Sequence, residues 1–455
     1  MKNKIKLSVA LEQNVGFADW QVKVLSQLFK SNQINLFSII YIKSNIKENK
    51  KKYNIFSTIL KKLIFFIERK YSYISRIKDL NYVNKKISRI KTFNIQNLKK
   101  NYFDNSDITA IKREKLDLIL NLSEEIIVGD INCSSKYGTL GYISGGLSQR
   151  SKPIGFWNSF EEGNISKNLI YIMNNSNYLS LLETGFYQNR KYWLLNKEYL
   201  NEKLIPLILK NIRLIILYRK ISPIKKINVS KIKLKEPNFF SLINYIFKKY
   251  FIFLIRLFGQ KKNTEKWKLN ISKKKDYLLK NYQEIKPPPP ANFYWADPFL
   301  YKYKNRDYLF FENFNIKMQK GKISVGELIN NSLVNIKDIL NFNYHMSYPF
   351  VFNFKKNIFL IPETSKKKRI EIWKSVSFPY KWKLYKILFK NESHADVTLL
   401  KNKKNIWLFS NKSVDKFNDH LSELYVYKII DNNFNKILPH KLNPVICDIR
   451  KARNA

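Results

Sequence analysis

Cysteine is almost absent from this sequence, with only Cys133 and Cys447 among 455 residues. The two lie far apart, so neither a disulfide framework nor a CxxC metal site is available, and a cytoplasmic location fits best. Histidine is nearly as scarce, and all four histidines lie in the second half of the chain. No HxxxH motif or aspartate–histidine cluster has metal-ligand spacing, so we predict no catalytic metal.

Long apolar runs are also lacking. The two most apolar segments, Ile55 to Ile67 and Phe239 to Phe258, are interrupted by Lys61-Lys62 and Lys248-Lys249. Neither provides the roughly 20 uninterrupted apolar residues of a membrane span. We favour amphipathic helices packed on the protein, with helices at a basic membrane interface as the alternative. The apolar run from Ile5 to Leu11 is too short to predict a signal peptide.

Acidic residues number 35 against 83 lysines and arginines, which gives a formal net charge of +48. Lysine, asparagine, isoleucine, phenylalanine and tyrosine are abundant together, as AT-rich coding sequence produces, and the lysines are spread along the chain. We therefore favour a solvated basic surface over specific nucleic-acid recognition. The charge excess still predicts salt-sensitive attraction to anionic surfaces, including peripheral association with an anionic membrane.

The first third of the chain alternates strand and helix patterns. Lys6 to Leu11, Ile34 to Ile42 and Asp117 to Leu122 have the composition of buried strands, and Trp20 to Phe29 has helical periodicity. This alternation predicts a parallel sheet of Rossmann-like type. No GxGxxG motif follows the first strand, so a dinucleotide is not indicated.

Four consecutive prolines, Pro287 to Pro290, predict a domain boundary because they cannot continue a helix or a central strand. Charged, aromatic-rich helical patterns precede them, and short strand patterns follow. The predicted order is an α/β domain over 1–194, a helical connector over 195–286, a proline spacer over 287–290 and an all-β domain over 291–455.

Three hairpin patterns repeat after the prolines. In each copy two marked positions are 15 residues apart: Asp297 and Glu312, Tyr348 and Glu363, Asp396 and Asn411. Polar turn residues fall midway between them, which predicts two antiparallel strands per copy. Residues equidistant from such a turn face each other, so we expect Asp297 and Glu312 to be neighbours.

The repeat has a period of about 50 residues with several short aromatic strands per unit, which is typical of β-propeller blades. The first strands of such blades line a shared central channel. Asp297, Tyr348 and Asp396 are therefore expected to converge on one axis, with Glu312 and Glu363 beside them.

The same region carries motifs of a known family. They are Ala296-Asp297-Pro298-Phe299, Tyr308-Leu309-Phe310-Phe311-Glu312, Lys320-Gly321-Lys322-Ile323, Ser347-Tyr348-Pro349-Phe350-Val351, Ile361-Pro362-Glu363-Thr364 and Asn443-Pro444-Val445. On these motifs it resembles the N-terminal-domain family of glucosamine inositolphosphorylceramide transferase. The resemblance implies a glycosidase-like five-bladed propeller. Three hairpin units and the start of a fourth are fewer than such a ring requires, so we expect a partial propeller or another element capping its edge.

The first part of the chain resembles a diverged formyltransferase domain, which N-formylates amino sugars or initiator methionine with 10-formyltetrahydrofolate. The resemblance rests on Asp117 to Leu122, a loop from Gly138 to Gly146, Pro153 to Trp157, and a Leu182 to Gly185 turn. The family places a histidine in the loop after the strand, whereas this chain has Gly141-Tyr142-Ile143-Ser144-Gly145-Gly146 there. Because formyl transfer needs a polarising group at that place, we expect the activity to be lost. The folate cofactor belongs only to an alternative of residual formylation, and no other cofactor is predicted.

Glycosidases of the implied architecture use paired carboxyl groups, and Asp297, Asp396, Glu312 and Glu363 supply them. A separation of about 5–5.5 Å suits retention and about 6.5–9.5 Å suits inversion. Two carboxylates close together also raise the pKa of one of them, so that this carboxyl group stays protonated at neutral pH and can act as a proton donor. The structural alternative is that these acids tie loops to backbone amides in every blade.

Four further residues are candidate substrate-binding groups at the same rim: Trp295, Tyr348, His345 and His394. Trp295 is placed to stack on a sugar face, and the histidines to bind sugar hydroxyls or phosphate. The alternatives are that Trp295 belongs to the blade core and that the histidines are satisfied surface groups.

These observations predict a cytoplasmic protein of surface-glycan or glycolipid metabolism that transfers or hydrolyses glycosidic bonds. Its expected partner is a sugar, a sugar nucleotide or a glycolipid. Two alternatives remain open, a non-catalytic carbohydrate-binding module and residual amino-sugar formylation.

Overall fold

A computed structural model describes the chain over the following residues: 4–13, 15–43, 55–72, 77–99, 102–146, 153–161, 165–175, 177–229, 237–251, 267–272, 282–402, 405–413, 416–431 and 433–453. The chain forms two compact units. Unit 1 comprises Met1–Gln260 with Cys447–Ile449, and unit 2 comprises Lys261–Ile446 with Arg450–Ala455.

Unit 1 is a mixed α/β fold. Its helices are α1 (Asp19–Lys30), α2 (Ile55–Glu68), α3 (Leu80–Ile87), α4 (Asn105–Arg113), α5 (Phe156–Phe160), α6 (Trp193–Tyr218) and α7 (Phe239–Ile246), which continues as a π-helical turn, Phe247–Phe251. Its strands are β1 (Ile5–Glu12), β2 (Ile34–Lys43), β3 (Lys91–Lys99), β4 (Tyr102–Phe103), β5 (Leu118–Asn121), β6 (Thr139–Ser144), β7 (Ile165–Met173), β8 (Tyr178–Gln188) and β9 (Lys225–Asn228).

Within the described part of unit 1, these nine strands form one sheet in the order β4-β3-β2-β1-β5-β6-β7-β8-β9. Strands β3, β2, β1, β5 and β6 run parallel, and β7 to β9 continue antiparallel. Strands β1 and β5 are buried along almost their whole length, as strands covered on both sides are. The three strands and the helix expected in the first third are confirmed as β1, β2, β5 and α1.

Helix α6 packs on this sheet within unit 1. The Asn168 side chain on β7 donates from Nδ2 to the Leu200 carbonyl at 2.8 Å. Lys210 Nζ on α6 binds Glu183 Oε1 on β8 at 2.7 Å. The N-terminal part of the predicted helical connector, as far as Tyr218, is therefore a long helix lying on the α/β sheet.

Two expectations for unit 1 are wrong in local structure. The segment from Gly138 to Gly146 is largely strand β6, because residues 139–144 are apolar or small and lie buried in the sheet. Leu182 to Gly185 is not a turn but the middle of β8, where Glu183 pairs with Ile170 of β7. Both segments satisfy their backbone groups in the sheet ladder rather than in a loop.

Unit 2 is built of antiparallel strands. They are β10 (Asn270–Ile271), β11 (Gln283–Glu284), β12 (Phe293–Tyr303), β13 (Arg306–Asn315), β14 (Lys320–Ile329), β15 (Ser332–Leu340), β16 (Ser347–Phe354), β17 (Asn357–Glu363), β18 (Ile370–Ser377), β19 (Lys381–Leu388), β20 (Ser393–Asn402), β21 (Asn405–Ser413), β22 (Glu423–Ile429), β23 (Ile437–Pro439) and β24 (Ile446–Cys447).

Strands β12 to β15, β16 to β19 and β20 to β23 form three antiparallel sheets, each in sequential order. Each sheet begins with one of the predicted hairpins. The first two turn at Lys304-Asn305 and Lys355-Lys356, and these four residues have positive φ between 47° and 62°, as tight hairpin turns require. The predicted turn residues of the third hairpin, 403 and 404, lie outside the described residues.

Apolar cores lie on the sheets and between them. Phe310, Ile323, Val325 and Leu360 belong to one cluster that spans the first and second sheets. A second cluster, around Ile372, Leu408 and Phe434, spans the second and third. The alternation of buried and exposed residues along the strands supplies these faces. Among the described helices of the whole chain, none is long and apolar enough to cross a membrane.

Candidate functional site

The first hairpin contains a β-bulge at the predicted acid. Ala296 pairs with Glu312 and Phe299 with Phe310, so Asp297 and Pro298 together stand opposite the single residue Phe311. Glu312 therefore pairs with Ala296, the residue next to Asp297, while Asp297 and Glu312 still line the same cavity. The extra residue of the bulge shifts the register at the point where the acid lies.

The same irregularity recurs in the other two hairpins. Ser347 pairs with Glu363 before a bulge at Tyr348-Pro349, and Ala395 pairs with Asn411 before a bulge at Asp396-Val397. Asp297, Tyr348 and Asp396 have φ of 48°, 46° and 50° respectively. Such left-handed conformations in residues other than glycine cost roughly 1–3 kcal/mol each and concentrate at functional sites. The repeat thus places three strained positions at matching points of three sheets.

One hydrogen bond links the first bulge to the second. The backbone N–H of Tyr348 donates to Asp297 Oδ2 at 3.2 Å. Burial raises the pKa of Glu363, and the backbone N–H of Asp396 acts against this shift. Asp297 also raises the pKa of Glu312, Glu363 and Asp396 through its charge. The four predicted carboxyl groups therefore interact with one another through their charges.

Glu312 is the most perturbed of the four. Burial, followed by the charges of Asp297 and Glu363, raises its pKa to about 8. Its Oε1 atom is buried and has no hydrogen-bond partner among the residues that the structure describes. An ionised carboxylate without a partner would carry a large desolvation cost, so Glu312 holds its proton at neutral pH.

His345 faces Glu312 as a neutral imidazole. The backbone N–H of Gly321 donates to His345 Nδ1 at 2.9 Å, which leaves the ring proton on Nε2. That Nε2 atom lies 3.6 Å from Glu312 Oε1, which is too long for a hydrogen bond. Burial, with the charge of Lys366, lowers the pKa of His345 to about 4. At pH 7 the pair therefore consists of two neutral groups rather than an ion pair.

The pKa values of Glu363 and Asp396 are also raised, but each has a local partner that opposes the shift. Burial raises the pKa of Glu363 to about 7, although Ser365 Oγ donates to its Oε1 at 2.7 Å and opposes the shift. Burial also raises the pKa of Asp396, and Arg453 opposes this with its Nε atom 3.3 Å from Asp396 Oδ2. In both groups, burial thus raises the pKa and a neighbouring side chain lowers it.

A cavity of about 780 Å³ opens at this cluster, within the volume range of small-molecule sites. Asp297 and Glu312 both line it, together with Tyr294, Tyr348 and Arg453. Asp396 and Glu363 are not among its lining residues. The cavity therefore presents one protonated and one more acidic carboxyl group to a ligand, with the other two carboxyl groups contributing through their charge.

Residues 278–455 match a protein-family model described as the N-terminal part of glucosamine inositolphosphorylceramide transferase 1. The glucosamine inositolphosphorylceramide transferase 1 of Oryza sativa subsp. indica is 30% identical over 158 residues, which is 34% of this chain and 21% of that relative. The chain thus matches about a fifth of the length of this curated relative.

Two solved structures are also similar. A fructofuranosidase from Schwanniomyces occidentalis, complexed with fructose, covers 37% of this chain and 38% of its own, with 12% identity and a TM-score of 0.26. A sugar 3N-formyl transferase, WlaRD, covers 72% of this chain and 98% of its own, with 13% identity and a TM-score of 0.30.

Two of the expected substrate-binding residues are buried. Trp295 is 3% exposed and packs against Phe311 with a centroid distance of 4.8 Å, although it is also one of the residues that line the cavity. His394 is 1% exposed, its two ring nitrogens contact Ser410 Oγ and Glu392 Oε2, and it does not line the cavity. Tyr348 and His345 do lie at the cluster.

Sequence reasoning missed Arg453 and Ser365, and no motif marks either of them. Gly321 stands in the Lys320 to Ile323 motif, but its role emerges only in three dimensions. No group of three or more histidine, cysteine or acidic side chains in the described residues is arranged to hold a metal ion.

Gly321 leaves the space that Glu312 and the neighbouring backbone occupy. A Cβ atom there would meet the Glu312 carboxylate and would lie 2.6 Å from the Met346 carbonyl oxygen. We expect Gly321→Ala to lower the free energy of unfolding by about 1–3 kcal/mol in urea titrations, because the backbone oxygen cannot move aside.

Gly326→Ala on the same strand is the matched control. Its Cβ atom would first meet side-chain atoms of Ile336 and Leu333 at 3.2 Å, which can adjust. Equal losses of unfolding free energy in Gly321→Ala and Gly326→Ala would contradict the tight packing at Glu312.

Proposed function

We propose that this protein transfers or hydrolyses a glycosidic bond of a glycan or glycolipid at the Asp297–Glu312 cavity. One observation carries the proposal: two carboxyl groups line the same cavity, and the buried one has its pKa raised to about 8. A general acid that holds its proton at neutral pH beside a second carboxyl group is the arrangement that glycoside chemistry uses.

The proposed fold of unit 2 is a glycosidase-like propeller of which the three antiparallel sheets are blades. The equivalent bulges at Asp297, Tyr348 and Asp396 support this, because each lies near the start of the first strand of its sheet and a hydrogen bond links the first bulge to the second. Unit 1, with its parallel strands and covering helix α6, is proposed to be Rossmann-like.

In the proposed reaction Glu312 donates its proton to the leaving oxygen as the anomeric C–O bond breaks. The Asp297 carboxylate then either takes the proton of the hydroxyl or water that attacks the anomeric carbon, or bonds to that carbon itself. In the second case a hydroxyl or water breaks the glycosyl–Asp297 bond and returns a proton to Glu312. Asp396 and Glu363 act as positioning groups, since their charge keeps the pKa of neighbouring carboxyl groups raised. The step needs only the side chains of this unit.

The matched family suggests the substrate class. The family name refers to a transferase for glucosamine and inositolphosphorylceramide. We therefore propose a sugar nucleotide or an activated sugar as donor and a glycolipid as acceptor. The mixed wall of the cavity, with Tyr294 and Tyr348 beside carboxyl groups, provides ring faces and acceptors for sugar hydroxyls.

A non-catalytic carbohydrate-binding role is the second candidate. It is favoured by Tyr348, which occupies the bulge position of the second sheet where the other two sheets have aspartate. In that role the carboxyl groups would only accept hydrogen bonds from sugar hydroxyls.

The two candidates are separated by product analysis. The full chain is incubated with panels of sugar-nucleotide donors, glycolipid acceptors and oligosaccharides, and new masses are sought by mass spectrometry. We expect a product with the wild type and with Asp307→Asn, a control on the same strand as Glu312. Glycan-array binding with no product from any panel would contradict catalysis and support the binding role.

A further inference from the structure

Helix α2 has a packed face and an exposed apolar face. Phe56, Ile59, Leu63 and Phe66 recur at intervals of three or four residues and are all exposed, with Phe66 79% exposed. This spacing places them along one side of a helix. The opposite side carries Ile64, which is fully buried.

Helix α7 with its π-helical turn has the same arrangement. Phe240, Ile243, Phe247 and Phe251 are exposed at similar intervals, with Phe240 76% exposed. The rings of Phe247 and Phe251 stack with centroids 4.9 Å apart. The two helices are neighbours, since the rings of Phe56 and Phe239 meet edge to face at 6.3 Å. We call these eight exposed residues the paired apolar stripes.

The stripes are held in place by a polar lock beneath them. Glu68, at the end of α2, accepts hydrogen bonds from the Tyr245 hydroxyl at 2.5 Å, the Tyr250 hydroxyl at 3.0 Å and the Leu194 backbone N–H at 2.6 Å. Ile64 and Leu242 pack with Trp193 in the same core cluster. Both helices thus have a fixed inner face, and the exposure of the outer one is a property of the folded unit.

The charges around the stripes have one sign. Residues 55–72 contain Lys61, Lys62, Arg69 and Lys70, and their single acid is Glu68, which is buried. Residues 237–251 contain Lys248 and the buried Lys249, and no acid. An exposed apolar band on helices that also carry Lys61, Lys62 and Lys248 complements an anionic lipid surface, where apolar side chains enter the acyl boundary and lysines bind headgroups.

We infer that unit 1 docks on an anionic lipid bilayer through the paired apolar stripes, with α2 and α7 lying in the plane of the interface. Eight large exposed apolar side chains on two neighbouring helices are more than soluble monomers usually expose. Over their described residues, neither α2 nor α7 is long and apolar enough to span a bilayer. The inference is independent of the proposed reaction, because the stripes and the carboxylate cavity belong to different units.

The test is vesicle flotation of the full chain with phosphatidylcholine alone and with phosphatidylcholine mixed with phosphatidylserine. The variant is Phe66→Ser combined with Phe240→Ser, which removes apolar area without changing charge. Both positions are exposed, so folding is expected to be retained, as circular dichroism would check. The matched control is Ile224→Ser, a residue of unit 1 that is 70% exposed outside the two helices.

We expect the wild type and Ile224→Ser to float with the anionic vesicles and the double variant to bind at least about tenfold more weakly, because two phenylalanines no longer enter the interface. Failure of the wild type to bind anionic vesicles would overturn the inference. Unchanged binding by the double variant would do the same, since the attraction would then come from the general positive charge. A wild-type dimer that the double variant dissociates, without vesicle binding, would assign the stripes to a second copy of the chain instead.

Discussion

Glu312→Gln is expected to stabilise the protein while removing its activity. An unfolded glutamate ionises near pH 4.5, whereas folded Glu312 ionises near pH 8. Between these values folding must take up a proton or bury a charge, so wild-type stability falls as pH rises through this window. At pH 7 this effect lowers the free energy of unfolding by about 3 kcal/mol at most, since each pKa unit between 4.5 and 7 is worth about 1.4 kcal/mol. Glutamine cannot ionise, so the variant should avoid this cost.

The stability gain should depend on pH in a defined way. Chemical unfolding of both proteins is measured from pH 4 to pH 9, and the two curves should meet near pH 4 and separate as pH rises. Turnover should fall by about 10²–10⁴-fold, as loss of a general acid gives, and wild-type activity should decline above about pH 8. A variant that is less stable at pH 7, or equally active, would contradict a protonated Glu312 acting as the acid.

Asp297→Asn is expected to abolish turnover with the fold intact. The aspartate lies 3.2 Å from the Tyr348 backbone nitrogen through Oδ2, and an asparagine oxygen accepts the same hydrogen bond. The strained bulge should also be retained, because asparagine tolerates positive φ as aspartate does. The variant therefore loses the charge at the reacting centre and little else, and we expect a fall of about 10²–10⁴-fold in kcat/KM.

Asp307→Asn is the control for this variant as well. It lies on β13, the strand that carries Glu312, and pairs with Lys302 near the hairpin turn. Activity should remain unchanged there. If Asp297→Asn retained wild-type turnover while Asp307→Asn reduced it, the catalytic assignment of Asp297 would be wrong.

The sequence predicted the repeat well because local rules determine it. The interval of 15 residues between marked positions and the polar turns at Lys304-Asn305 and Lys355-Lys356 follow from alternation and turn chemistry. The buried strands β1, β2 and β5 were equally accessible, since their apolar composition leaves few alternatives. Asp297, Glu312, Glu363 and Asp396 influence one another's pKa through their charges. Their convergence on one propeller axis stays a prediction.

Features that depend on the third dimension were not accessible in this way. A bulge adds one residue without a composition signal, so the offset of Asp297 from Glu312 emerged only from the strand register. Whether an aromatic ring or an imidazole faces a cavity or the core depends on neighbouring elements, and Trp295 and His394 turned out to be buried. Arg453 contacts Asp396 from a segment 57 residues later in the chain, which no local pattern could indicate.

Unit 1 shows the same limit. A motif comparison placed a loop at Gly138 to Gly146, yet Thr139 to Ser144 pair with β7 in full register. Small residues such as Gly141 suit a loop and also a strand that approaches a neighbour closely. Here Gly141 lies against the Tyr171 ring, where a Cβ atom would not fit. The residue types were therefore compatible with both structures.

The pKa of the Glu312 carboxyl group is the measurement that tests the account most directly. It can be followed by carbon NMR in protein labelled at glutamate, with Glu312→Gln identifying the resonance, in the wild type and in Asp297→Asn. We predict a midpoint near pH 8 in the wild type and a lower one in Asp297→Asn, because the charge of Asp297 is among the causes of the shift. A midpoint near the ordinary value of 4.5, unaffected by Asp297→Asn, would show that the carboxyl groups do not share one site.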